Sequence, residues 1–168
     1  MRIIALFPNL LEPDELNIKS KFILRKRSYC HELDFFNGIE KEDFPVILNR
    51  SFSFSIPENL PIYNQGNFNI RILWIMWEGE AFWQVHEMLE SAWKNFQGDA
   101  KRALWLIIRV VVAQVKFQMG QYRIHKEILY KIGKEFKDRF LEEPGLNYPF
   151  IPSLQVRQKI EDLIQANI

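Results

Sequence analysis

Little in this chain points to an obvious chemistry, and several absences narrow the field. It contains one cysteine, Cys30, so no internal disulfide can form and no cysteine-rich zinc site can be assembled; a single thiol fits a reducing compartment. Charge of either sign is not in excess: 22 Lys plus Arg stand against 21 Asp plus Glu, a formal net charge of +1. No global field therefore marks a nucleic-acid or acidic partner. The most apolar run, Ala103 to Phe117, is broken by Arg109, Gln114 and Lys116 and falls short of the roughly 20 residues that cross a bilayer. The apolar start of the chain meets Pro8 and then Glu12, Asp14 and Glu15, too soon for an export-signal core. Glycine is sparse, and there is no Gly-rich phosphate loop, no Gly-x-Ser-x-Gly elbow and no His-Glu-x-x-His pair. A cytoplasmic protein with no membrane segment is expected.

What is present is ample apolar material, 48% of 168 residues, enough for one core with appendages. Residues 1–66 lack a sustained helical period and are rich in Pro, Asn, Ser and Phe. They read as an irregular extension of unassigned role, with a period-2 stretch at Ser51–Ile56 that suits a half-buried strand or small hairpin. Lys19, Lys21, Arg25, Lys26 and Arg27 surround Phe22, Ile23 and Leu24; such a run is expected to be a solvated face. Cys30, His31, Glu32 and Asp34 are ligand types without a recurring ligand spacing, and a surface turn is expected there. Residues 57–67, with two prolines, a glycine and three asparagines, read as a linker.

From Asn67 to the end the period becomes helical, which predicts an all-α domain over 67–168, a compact bundle of about five helices. The predicted helices span about 68–77, 80–95, 100–119, 121–141 and a last one capped by Ser153. The third is apolar on nearly every side, and a helix of that kind is normally buried all round. On the second, Phe82, Val85, Leu89, Ala92 and Phe96 form an apolar stripe, with Trp83, His86, Glu90 and Trp93 beside it. His86 and Glu90 are thus expected to be half-buried, with Glu87 facing solvent. The short connection makes the second and third helices antiparallel, bringing Trp93 opposite Trp105 and Glu90 near Arg109.

Three roles fit this polar group of His86, Glu87, Glu90 and Arg109 between Trp83 and Trp93. A buried Glu90–Arg109 pair would fix helix register, and Glu90→Ala would then cost about 3–5 kcal/mol. A divalent metal would take His86 and Glu90 at i and i+4, with a third ligand such as His125, and would activate water for hydrolysis. A pocket walled by Trp83, Trp93 and Trp105 would let Arg109 grip an anionic group of a small molecule or protein partner. The pocket or interaction site is the leading expectation and the metal-dependent hydrolase the alternative; a homo-oligomer is compatible with either.

The stretch Leu73 to Trp93 resembles the signature of the bacterial and archaeal family known as domain of unknown function 309. The family's pattern is a glycine turn, two aromatics, a variable and a small residue, His-Glu, two apolar residues, Glu and a closing Trp. Phe82-Trp83, Val85, His86-Glu87, Glu90 and Trp93 supply it here, and the resemblance extends over roughly residues 70 to 165. It implies a small all-helical domain, and members have been labelled predicted metal-dependent hydrolases without a settled substrate. This chain departs from the pattern at three places. Gly79 stands one residue early, Trp105-Leu106 and Arg109 replace the third helix's Gln-Gly and Gln, and Lys116 replaces a frequent His.

Overall fold

A computed structural model describes residues 2–8, 13–51, 53–55 and 69–166. The chain forms two compact units, Met1–Tyr63 and Asn64–Ile168. Residues 57–67, expected to form a linker, lie outside the described residues except in so far as the unit boundary falls among them.

The N-terminal unit is more ordered than an irregular extension. Strands β1 (Ile3–Pro8), β2 (Ile23–Lys26), β3 (Cys30–Phe35) and β4 (Ser53–Ser55) form one antiparallel sheet in the order β2-β3-β1-β4. Ala5 pairs with Leu33 on one side and Phe54 on the other. The period-2 expectation at Ser51–Ile56 is thus met as β4, while Phe52 and Ile56 lie outside the described residues. On one face Ile3, Ala5 and Phe7 join Leu33 and Phe35, and this core is closed by Leu16 and by Ile47 of α1 (Phe44–Arg50). Asp43 precedes α1, but its carboxylate accepts the amides of Lys19 and Ser20 and the Ser20 hydroxyl. Burial alone would raise its pKa; those hydrogen bonds outweigh it and hold the carboxyl below its ordinary value.

The opposite face carries charge. All six residues of β3 are buried, so the surface turn expected at Cys30–Asp34 is instead an interior strand, and Arg25 and Arg27 of the basic run are buried with it. Arg25 bridges Glu32 at 2.7 Å and Asp34 at 2.9 Å; Arg2 grips Asp34 through two nitrogens at 2.9 and 2.7 Å; Arg27 pairs with Glu32. Alternation explains this: Glu32 and Asp34 point to the same side as Arg25, across a directly paired strand. The buried charges are tolerated because each carboxylate meets two guanidiniums. An all-α description therefore holds for the second unit only.

The described residues of the C-terminal unit form five helices: α2 (Ile70–Glu78), α3 (Phe82–Trp93), α4 (Gly98–Gln118), α5 (Tyr122–Phe140) and α6 (Leu154–Gln165). Ser153 caps α6 by accepting the Val156 amide, as expected, and Asn69 caps α2 by accepting the Arg71 amide. Asp99 lies within the first turn of α4. Gly79 ends α2 with φ −77°, and the left-handed residue of that turn is Glu80, φ +53°. The buried stripe of α5 is His125, Leu129, Ile132, Phe136 and Phe140, with Ile124 exposed and Ile128 half-buried.

Helix α4 packs against α3, α5 and α6. It is not buried all round: Arg102, Trp105, Arg109, Val112 and Lys116 are partly or fully exposed at spacings of three and four residues, the repeat of one open helical stripe. Trp77 donates its indole N–H to the Phe150 carbonyl at 2.7 Å, and Trp74 donates to Glu161 at 2.7 Å, fixing α2 against the loop after α5 and against α6.

Asp34 yields a prediction. Burial would raise its pKa, but the Arg2 hydrogen bonds and the Arg25 and Arg2 charges outweigh it and lower the pKa from 3.8. A carboxyl depressed in the folded state contributes stability above its unfolded pKa, and that contribution is lost as pH falls through the folded value. Urea unfolding of the wild type should therefore weaken from about pH 5 downward, and Asp34→Asn should be less stable at neutral pH and show a flatter acid limb.

Candidate functional site

The buried arc of α3 is wider than its apolar stripe. Gln84 and Met88 are buried together with Phe82, Val85, Leu89 and Ala92, and at about 100° per residue this broadens the inner arc and moves its centre toward Val85 and Ala92. Glu90 then points almost directly outward, while His86 and Glu87 lie on the two flanks. The outcome reverses the expectation for the carboxylates: Glu90 is exposed and Glu87 half-buried.

The three side chains nevertheless converge. One ligand atom each from His86, Glu87 and Glu90 lie within 4.8 Å of one another. The His86 ring is stacked on Trp83, centroids 5.4 Å apart with planes 26° from parallel. Its Nδ1 is buried, has no hydrogen-bond partner among the described residues and stands 3.5 Å from Oε1 of Glu87. Positions 86, 87 and 90 place a nitrogen donor and two carboxylates within about 100° of helix circumference.

Arg109 does not join them. It is half-buried on the open stripe of α4 and forms no hydrogen bond or ion pair among the described residues, so the Glu90–Arg109 pair expected inside the bundle is absent. Solvent access supplies what a buried carboxylate would otherwise have to supply. Lys116, also half-buried, lies two turns further along the same stripe. His125, named as a third metal ligand, is fully buried on α5, with Nδ1 2.9 Å from the Ala113 carbonyl and Nε2 3.3 Å from that of Leu146. Trp93 and Trp105 do meet, 5.8 Å between ring centroids, so the helix register was readable. Trp83 is with His86 rather than with them.

Other buried polar groups have weaker sequence signals. Gln118 donates to the Glu80 carbonyl at 2.8 Å and to the Tyr148 hydroxyl at 2.9 Å, and that hydroxyl donates to the Glu80 carboxylate at 2.5 Å. Gln114 accepts the Phe150 amide at 3.0 Å. Two glutamines one turn apart in an apolar helix are visible in the sequence, but their loop partners are not.

The unit is thus a small helical bundle displaying a His–Glu–Glu donor group on the outer flank of one helix. Residues 73–128, from α2 into α5, match the model of the family described as Domain of unknown function (DUF309). That segment holds all three donors. No curated protein and no solved structure matches the chain.

Because Glu90 is exposed and unpaired with Arg109, Glu90→Ala should change stability by no more than about 0.5 kcal/mol. Chemical denaturation checks this; a loss of several kcal/mol would reinstate the buried pair.

Proposed function

We propose that His86, Glu87 and Glu90 form a divalent-cation site and that the helical unit works as a metal-dependent hydrolase. The observation that carries this is the convergence of the three donor atoms within 4.8 Å on one helix. The donor set suits the assignment: imidazole nitrogen with two carboxylates is a combination that zinc and related divalent ions accept. A buried ring nitrogen without a hydrogen bond is the kind of atom a cation satisfies, and the exposed Glu90 is free to close the remaining distance. When bound, such an ion supplies Lewis-acid polarisation and water activation near neutral pH.

The side chains around it divide the work. His86, held by stacking on Trp83, provides the neutral donor in a fixed orientation. Glu87 and Glu90 bring the negative charge that offsets the cation. The absence of a Glu90–Arg109 bridge matters here, because such a bridge would have occupied a carboxylate that the site needs.

A metal-free role as a small-ligand or interaction site is the second reading, favoured by the half-buried Arg109 with no carboxylate partner among the described residues. We place the protein in the cytoplasm on its single cysteine, which forms no disulfide; no described helix is long and apolar enough to cross a membrane.

Metal analysis and thermal unfolding of the purified protein separate the two readings, with and without a chelator and with Zn²⁺, Mn²⁺ or Ni²⁺ restored. Stoichiometric metal is expected, with a stabilisation of about 2.7 kcal/mol at a hundredfold excess over Kd, lost in His86→Ala. Neither bound metal nor a shift would overturn the cation site and leave the metal-free one.

A further inference from the structure

A second feature of the helical unit uses residues that the His86 group does not. Trp93 near the end of α3 and Trp105 of α4 meet with ring planes 38° apart, and together with Gly98, Lys101 and Arg102 they line an open groove of ≈ 370 Å³. Trp105 leaves 47% of its surface exposed, unusual for a side chain that normally brings a large apolar area into contact. The groove is also rigid on one side. Trp93 donates its indole N–H to the Lys101 carbonyl at 3.0 Å, and the Lys101 ammonium lies 4.5 Å above the Trp93 ring.

The lining offers only one sense of polarity. Lys101 forms no ion pair among the described residues, and the Trp105 indole N–H has no acceptor among them. Arg102 differs, since Glu135 takes its charge at 2.9 Å. No lining side chain carries an acceptor: the groove presents aromatic faces, an ammonium and N–H donors. Its complement is a flat apolar ring bearing a negative acceptor, because the ring covers the exposed indole while the anion meets the ammonium and the N–H. A volume of this size accommodates a small molecule of one or two rings.

We propose that this groove binds a small aromatic carboxylate, its ring laid on Trp105 and its carboxylate directed to the Lys101 ammonium. The site is separate from the cation site and does not depend on it.

Isothermal titration of the full chain, in chelator-treated buffer, with 2-naphthoate and with the uncharged 2-naphthylmethanol tests it. One molecule of naphthoate should bind per chain, about tenfold or more tighter than the alcohol, the discrimination expected of a charge-assisted contact. Trp105→Ala should weaken naphthoate by more than about tenfold at unchanged thermal stability. Lys101→Gln should remove the preference for the acid over the alcohol, and His86→Ala should bind as wild type. Equal affinity for the two probes, no saturable binding, or binding untouched by Trp105→Ala would overturn the proposal. So would loss of binding in His86→Ala, which would assign the anion to the cation site. Sedimentation adds a last arm: a wild-type dimer that Trp105→Ala converts to a monomer would mean a second copy of the chain covers the groove.

Discussion

The helical unit depends on the enclosure of α4. A helix with twelve buried residues cannot stand alone in water, and α3, α5 and α6 pack around it to remove that apolar surface. Enclosure in turn constrains the few polar groups it draws inward. Gln114 and Gln118 are buried, so the partners of their amides come from the protein rather than from solvent. The Gln114 oxygen accepts the Phe150 amide, its nitrogen having no partner among the described residues, and the Gln118 nitrogen donates to the Glu80 carbonyl and the Tyr148 hydroxyl. The connection between α5 and α6 is thereby held to α4 by hydrogen bonds and by the Phe117–Tyr148 stack, 4.2 Å between centroids. What begins as hydrophobic burial ends as the placement of a loop.

The N-terminal sheet solves a different problem with the same logic. Its second face is charged and buried, which is tolerable only because guanidiniums and carboxylates alternate across adjacent strands in register. Slipping β2 by one residue would turn Arg25 toward the apolar core and Leu24 toward the carboxylates. The charge network therefore specifies pairing register, beyond whatever it contributes to stability.

Much of the helical unit is legible in the sequence because its signals are local. Helix number, the Ser153 cap, the Trp93–Trp105 register and the family signature all depend on residues a few positions apart or on one short connection. Where a distant partner decides, the local signal misleads. Glu32 and Asp34 look like solvent-facing ligand types until β2 is placed beside β3. The exchange of roles between Glu87 and Glu90 has a subtler origin. The apolar stripe of α3 was visible, but its buried arc also includes Gln84 and Met88, and how far a helix sinks into its neighbours is not written in its period. His125 likewise reads as a ligand type, whereas it is fully buried in the core with its Nδ1 against the Ala113 carbonyl.

The open stripe of α4 bears on how this domain can change over time. Of its twenty-one residues, most are bound by packing on three neighbouring helices, so substitutions there disturb the fold before they alter anything else. Arg102, Trp105, Arg109, Val112 and Lys116 lie outside that restriction. They form a strip on which charge, size and hydrogen-bonding character can be exchanged at little cost to folding. Sequences that share this scaffold can therefore diverge in what they recognise by rewriting five positions on a single helix.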